Sequence, residues 1–484
     1  MNVLMIASEC VPLIKTGGLA DVVGALPFAL ARHGWNARVL VPCYPAVSDA
    51  LREAVAVHAF SDLFGGEARI LLGRTPSGLE VLALDAPHLY DRPGNPYLGP
   101  NGRDWPDNHL RFAALCFAGA RYAELQPDGW AVDLVHGHDW QAGLTPLYLA
   151  DPARLPTVFT IHNIAFPGIF PASVAPALAL PPEAFTADGY EYYGQVSFLK
   201  AGLTLSDRLT TVSPTYALEL QTPGFGMGFD GLLRYRSGDL SGILNGVDET
   251  IWNPGTDPLI AHSYAPSSLD GKRRNRGDLQ RAMGLDPDPE AFLTCVVSRL
   301  TDQKGLDLLL GALPDLMADG GQVALLGTGD PSLEAAFSTA AVQFPGRVGV
   351  RIGYDEPLSH VLIAGADAIL VPSRFEPCGL TQFYGLRYGT IPVVARTGGL
   401  ADSIIDANQA ALEAGVATGI VFSPIDAGGV RDGLRRAAAL FADKPIWNRM
   451  VQNALRHPVG WERSAAQYDA VYRSALGIRA IDAS

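Results

Sequence analysis

Two cations share the run Ser298-Arg299-Leu300-Thr301-Asp302-Gln303-Lys304-Gly305. It follows an apolar stretch, residues 291–298, and precedes a helical period, residues 305–317. Strand, loop and helix in that order mark the edge where open α/β sheets bind ligands. Arg299 supplies a planar fork of donors and Lys304 a mobile point charge, a pairing that suits a diphosphate. A second run, Arg374-Phe375-Glu376-Pro377-Cys378-Gly379-Leu380-Thr381, is placed in the same way. Glu376 ends a strand-like stretch, and its carboxylate can accept two sugar hydroxyls. Gly379, Leu380 and Thr381 open the next helix, whose unpaired N–H groups suit a phosphate. No activating histidine accompanies Cys378, which reads as a small packing thiol.

Near the N-terminus stands Lys15-Thr16-Gly17-Gly18-Leu19. Glycines without a Cβ let a ligand approach their N–H groups, and a helix N-terminus with Lys15 beside it favours an anion. The run lacks both the GxxxxGK[ST] of a P-loop and the GxGxxG of a dinucleotide site. Thr16-Gly17-Gly18-Leu19-Ala20-Asp21 recurs letter for letter as Thr397-Gly398-Gly399-Leu400-Ala401-Asp402. Shared turn chemistry accounts for the echo; so would two anion-facing helix ends, one per domain. His136-Gly137-His138-Asp139-Trp140 has HxH spacing, but no further ligands follow at a zinc-site spacing. It reads as a strand end with Asp139 capping a helix from Trp140. His162 and Asn163, in Thr160-Ile161-His162-Asn163-Ile164, end another strand. Asp286-Pro287-Asp288 matches a metal-binding DxD in letters only, since it precedes a strand inside a Pro-rich turn.

These runs need a parallel sheet to hold them, and the chain supplies two. Short β-rich stretches (residues 3–7, 37–41, 134–136, 157–162 and 209–212) alternate with helical periods, and the pattern restarts after Asn245-Gly246-Val247-Asp248. Strands then fall at 291–298, 323–326, 348–352, 368–371, 390–395 and 419–422, with helical periods at 333–342 and 430–442. The fold class is α/β: two doubly wound domains, 1–245 and 246–455, followed by a C-terminal helix within 456–484. With 48% apolar and 18% charged residues, both domains can fill a core. A formal charge of -14 argues against nucleic acid and anionic membranes as partners, while a neutral polymer stays acceptable. The five cysteines are widely spaced without a CxxC pair, so a reducing compartment, the cytoplasm, is expected. The short apolar start runs into Ser8-Glu9-Cys10 and reads as a strand and not as a leader.

Taken in order, KTGGLADV, RPGNPY at 92–97, HGHDWQAGL, TIHNIAFPG, VSPTYA, ILNGVD, RLTDQKGLDLL and RFEPCGLTQFYGLRYGT resemble the bacterial glycogen synthases and plant starch synthases, the family-five glycosyltransferases. The resemblance spans nearly the whole chain. It implies the GT-B architecture, two Rossmann-like domains facing a central cleft, with the C-terminal helix packed back on the first domain. It implies glucosyl transfer from ADP-glucose to the non-reducing 4-hydroxyl of an α-1,4-glucan (glycogen or maltooligosaccharides), with retention. No cofactor or metal is implied: ADP-glucose is a substrate and ADP a product.

By the same resemblance Arg299 and Lys304 neutralise the diphosphate, assisted by Lys15 and the Gly17-Gly18 turn. Glu376 holds glucosyl hydroxyls, Gly379, Leu380 and Thr381 meet phosphate and ribose beside Cys378, and Tyr354 stacks on adenine. Asp21, Tyr97, Asp139, His162, Asn163 and Asn245 line the donor pocket, with Asp139 and His162 nearest the sugar. Many retaining GT-B enzymes carry a second glutamate eight positions after the first; here Tyr384 stands there, as in the glycogen synthase branch. Another donor or a small acceptor, a nucleotide-sugar epimerase and a non-catalytic glucan-binding protein are the competing readings. An oligomer is compatible with all of them.

Overall fold

The computed structural model describes residues 1–51, 53–149 and 155–482, with side chains described through residue 477. The chain divides into two compact units, Met1–Asn245 with Trp461–Ser484, and Gly246–Gly460. The first unit is therefore built from both ends of the chain.

Its strands are β1 (Asn2–Ile6), β2 (Asn36–Pro42), β3 (Val55–Phe60), β4 (Ala68–Arg74), β5 (Glu80–Asp85), β6 (Leu134–His138), β7 (Thr157–Ile161), β8 (Ile169–Pro171), β9 (Glu191–Tyr192), β10 (Gln195–Ser197), β11 (Arg208–Thr211) and β12 (Leu240–Gly242). Nine form one sheet in the order β12-β11-β7-β6-β1-β2-β5-β4-β3, and β8, β10 and β9 form a small antiparallel sheet. All neighbours in the large sheet are parallel except β4, which is antiparallel to both β3 and β5. Leu4, Met5 and Ile6 of β1 are fully buried, as a strand covered by helices on both faces requires. From β1 the chain moves first to β2 on one side and later to β6 on the other. The strand order therefore reverses between β1 and β6, and the loops leaving those strands open a crevice.

The second unit repeats the plan with β13 (Leu293–Val297), β14 (Gln322–Gly327), β15 (Val348–Ile352), β16 (Ala368–Val371), β17 (Ile391–Ala395) and β18 (Ile420–Phe422). The order is β15-β14-β13-β16-β17-β18 with every pair parallel, the doubly wound arrangement of dinucleotide-binding domains. Here the order reverses between β13 and β16. Connecting helices begin at local caps: Asp355 Oδ1 accepts from Leu358 N at 2.9 Å to start Glu356–Gly365, and Asp426 does the same for Ala427–Ala442.

The C-terminal helix, Glu462–Asp482, lies on the first unit. The Trp35 indole N–H donates to Asp469 Oδ1 at 2.7 Å, and the Trp35 and Tyr472 rings meet edge to face at 4.9 Å. Four features differ from the sequence reading. The antiparallel β3–β5 extension and the helices Asp270–Met283 and Lys444–Arg456 were not anticipated. The helix expected from Trp140 is a single 3-10 turn, Trp140–Ala142, which Asp139 does not cap with its side chain.

Candidate functional site

In the first unit, the loop after β1 is organised by a residue that no motif flagged. Glu9 is 2% exposed. Its carboxylate accepts from Thr16 N, from Thr16 Oγ1 at 2.5 Å and from the Tyr97 hydroxyl. Tyr97 also meets Ser8 Oγ at 2.8 Å; burial, then the Glu9 charge, pushes its phenol well above the usual range. Glu9 thus ties the Lys15-Thr16-Gly17 loop to Tyr97. Lys15 Nζ pairs with Asp21 Oδ1 at 2.8 Å, in the first turn of the helix Gly18–Ala31. A Cβ added to Gly17 would meet nothing within 4 Å, so that glycine leaves its surroundings open.

Asp139 takes φ +56, a left-handed conformation unusual for a residue with a side chain. The turn sends its carboxylate across to β7 instead of onto the helix that follows. There it accepts from His162 N at 2.7 Å and Asn163 N at 3.3 Å. Burial, with the Glu9 charge adding to it, raises Asp139 to about 7 against the pull of those two N–H groups. A carboxyl poised there can exchange a proton near neutrality. His162 Nε2 lies 3.0 Å from His138 Nδ1, and burial lowers His162 to about 3. Asn163 spends its Oδ1 on Ala165 N at 3.1 Å.

Both ring nitrogens of His136 are occupied, by the Tyr472 hydroxyl at 2.7 Å and Thr160 Oγ1 at 2.6 Å. The HxH motif is therefore a packed core feature and not a ligand pair. Among the described residues no group of three or more His, Cys, Asp or Glu side chains is placed to hold a metal ion. Asn245 follows the edge strand β12, away from the β1–β6 crevice in the sheet order. Its Oδ1 is buried without a hydrogen-bond partner.

In the second unit the two cation-bearing runs fall on either side of the reversal. Lys304 Nζ lies 2.5 Å from Glu376 Oε2, which also accepts from Ser373 Oγ at 2.8 Å. The loop after β13 and the loop after β16 are laced together by Arg374. Its guanidinium grips both Asp307 oxygens at 2.8 and 2.7 Å and donates to Asp302 O at 2.7 Å. Gly305, at φ +65, has its Cα pressed against the same loop: an added Cβ would sit 2.2 Å from Pro372 O. Arg299 is exposed; its carbonyl accepts from Ser298 Oγ at 3.0 Å, while its guanidinium makes no hydrogen bond or ion pair with any described residue.

Cys378 is 4% exposed, and Gly379, at φ +73, leads through Leu380 into the helix Thr381–Tyr388. The second copy of the repeated hexapeptide packs on this loop. Cβ atoms on Gly398 and Gly399 would lie 2.0 Å from Glu376 O and 2.3 Å from Cys378 O, and Gly399 N donates to Glu376 O at 3.1 Å. In that copy the glycines serve close backbone approach, whereas Gly17 faces open space. The echo is therefore not a matched pair of anion-facing ends. Tyr354 follows β15, with β14 between it and β13. Its ring is 78% exposed and its hydroxyl donates to Glu356 Oε2 at 2.6 Å. Tyr384 is committed elsewhere, stacked on Trp252 at 3.7 Å with 10° between the rings.

The family model described as starch synthase catalytic domain matches residues 2–235, and the one described as glycosyl transferases group 1 matches residues 291–438. The chain is 57% identical over 479 residues to a glycogen synthase of Cereibacter sphaeroides, covering 98% of each. It is 55% identical to that of Roseobacter denitrificans, over 99% of this chain and 100% of the other. The chain belongs to the glycogen synthase family. Among solved structures it is similar to the catalytic domain of starch synthase IV from Arabidopsis thaliana bound to ADP and acarbose. The TM-score there is 0.89 at 32% identity, covering 98% of this chain and 99% of that one. A sucrose-phosphate synthase from Thermosynechococcus elongatus shares the fold, with a TM-score of 0.61 at 18% identity over 99% of each chain. The chain has the GT-B fold, with a mostly parallel α/β sheet in its first unit and a wholly parallel one in its second.

Proposed function

We infer that the chain elongates an α-1,4-glucan, transferring glucose from ADP-glucose to the non-reducing 4-hydroxyl with retention. Family membership supports the reaction class, and the starch synthase relative solved with ADP and acarbose supports the donor and acceptor classes. The observation that carries the site assignment is the Lys304–Glu376 pair at the strand reversal of the second unit. It puts a diphosphate-seeking ammonium against a sugar-seeking carboxylate.

In this reading Arg299 and Lys304 offset the charge that grows on the leaving diphosphate. The C1–O bond breaks with its electron pair going to ADP, and the acceptor O4 bonds to C1 from the same face. The departing phosphate oxygen takes the acceptor proton, so no carboxylate nucleophile is needed. Glu376 orients the glucosyl hydroxyls; Gly379, Leu380 and Thr381 take phosphate and ribose, and Tyr354 the adenine. Lys15, Gly17, Gly18, Asp21, Tyr97, Asp139, His162, Asn163 and Asn245 serve the donor from the first unit. The reaction uses no metal or cofactor. The five cysteines are all free thiols, which supports a cytoplasmic setting, and no helix among the described residues is long and apolar enough to cross a membrane.

ADP release from ADP-glucose, with and without glycogen and beside UDP-glucose, tests this. Release that needs both ADP-glucose and glycogen is expected. Release without glycogen would favour a hydrolase, and none from either donor would overturn the assignment.

A further inference from the structure

His162 follows β7 beside Asp139, and its ring hydrogen-bonds to the protein through one nitrogen only. Nε2 lies 3.0 Å from Nδ1 of His138, so one proton is shared between two ring nitrogens. His138 is fully buried, and its other nitrogen, Nε2, has no hydrogen-bond partner in the protein. The ring cannot swing to find one. It packs on the His136 ring at 4.0 Å between centroids, and His136 is pinned at both nitrogens by Tyr472 and Thr160. Thr160 Oγ1 lies 2.5 Å from Thr210 Oγ1, which closes the row.

Two proton arrangements satisfy the shared bond. If His162 Nε2 carried the proton, His138 Nδ1 would accept it and His138 would hold its own proton on the orphaned Nε2. That arrangement buries an N–H donor with no acceptor. If His138 Nδ1 carries the proton, the orphaned Nε2 is a lone pair. Orphaned buried N–H groups are rare, and unmet acceptors are better tolerated. Burial keeps both rings neutral, so neither takes an extra proton to escape the choice.

We propose that His138 is a positioning residue: by donating from Nδ1 it fixes His162 in the tautomer that carries its proton on Nδ1, leaving His162 an N–H donor for a donor-sugar oxygen. The row then runs from Tyr472 on the C-terminal helix, through His136 and the His138 ring packed on it, to His162, whose Nδ1 makes no protein hydrogen bond. The sugar contact rests on the function proposed above; the tautomer assignment does not.

The test is a long-range proton–nitrogen correlation spectrum of the full chain labelled with nitrogen-15 in histidine, at pH 8. His162 is identified by the signals lost in His162→Gln. An unprotonated Nε2 and a protonated Nδ1 on His162 are expected in the parent protein. In His138→Phe, which keeps a ring in place, the His162 Nε2 signal should move toward the protonated position. The kcat/KM for ADP-glucose should fall about 10-fold, the worth of one hydrogen bond, with KM for glycogen unchanged. His138→Asn, whose amide can donate in place of Nδ1, should restore much of both. A parent spectrum with His162 protonated on Nε2 overturns the proposal, and so does His138→Phe with parental tautomer and kinetics. The parent spectrum needs no His138 variant, so poor folding of one leaves the test intact. A parent protein that transfers no glucose would sink the functional reading while the spectrum still decides the tautomer.

Discussion

Arg299 and Lys304 share a loop yet differ in what else they do, and that difference separates chemistry from stability. Arg299 is exposed and unpaired, so Arg299→Ala should leave stability within about 0.5 kcal/mol of the parent. Its kcat should fall roughly 10²–10³-fold with glycogen affinity retained. Lys304 neutralises a carboxylate whose side chain is only 7% exposed. Lys304→Ala should therefore lose activity and also roughly 3 kcal/mol of stability, because Glu376 is left without its counter-charge. Chemical denaturation beside glycogen-affinity electrophoresis reads both; equal loss of turnover and glycogen binding in Arg299→Ala would contradict its role.

Asp139 adds a pH signature. Folded, it keeps its proton to about 7, while the unfolded chain releases it near 3.8. Between those values the native state binds more protons, so stability falls as pH rises from about 4 to about 7. Asn cannot ionise but keeps the acceptor for His162 N. Asp139→Asn should thus gain on the parent by roughly 2–4 kcal/mol between pH 5 and pH 8, while activity drops. A stability gap that stays constant with pH would show that Asp139 is not so perturbed. Glu9, which ties Thr16 to Tyr97, was invisible beforehand because one carboxylate in Ser8-Glu9-Cys10 matches no pattern.

Among the elements, glycines give the cleanest contrast. Gly17 has an extended backbone and open space where a Cβ would go. Gly17→Ala should melt with the parent yet bind ADP-glucose less tightly, if a ligand approaches that amide. Gly305→Ala must strain a φ of +65 and displace Pro372 O, so it should unfold more easily and misplace Lys304 with it. Thermal melts and KM for ADP-glucose distinguish the two, and a Gly17→Ala protein with parental KM would remove Gly17 from the site. The parallel strands were legible because burial on both faces demands unbroken apolar runs, as in β1 and β13. Strands β3 and β4 were not: they are half exposed, and their mixed residues mimic loops. The helix Asp270–Met283 hid behind its charges, since it buries Asn275, Arg276 and Gln280 beside only Leu279 and Met283 as large apolar groups. The 3-10 turn at Trp140 escaped because Asp139 looks like a cap and nothing local reveals that its partners are the N–H groups of another strand.

At the scale of the whole molecule, the alternation of strands and helices revealed two sheets, but no local pattern could join His136 to Tyr472. That hydrogen bond spans 336 residues. Tyr468 and Tyr472 are fully buried in the first unit, so each is worth roughly 3–5 kcal/mol against alanine. Removing residues 461–484 should abolish the cooperative melting of the first unit and leave that of the second. Calorimetry should then show a single remaining transition, and an unchanged thermogram would mean that the helix is dispensable.

A unit assembled from both ends of the chain also has a history in time. On the ribosome the first sheet emerges early, but the tyrosine that covers His136 is made only after the entire second unit has been synthesised. At roughly 5–20 residues per second that wait is on the order of tens of seconds. The second unit, continuous from Gly246 to Gly460, can close as it is released, while the older half stays unsealed beside it. The nascent chain therefore carries an exposed apolar face for as long as the second unit takes to be made, and a holding chaperone would find its longest window there.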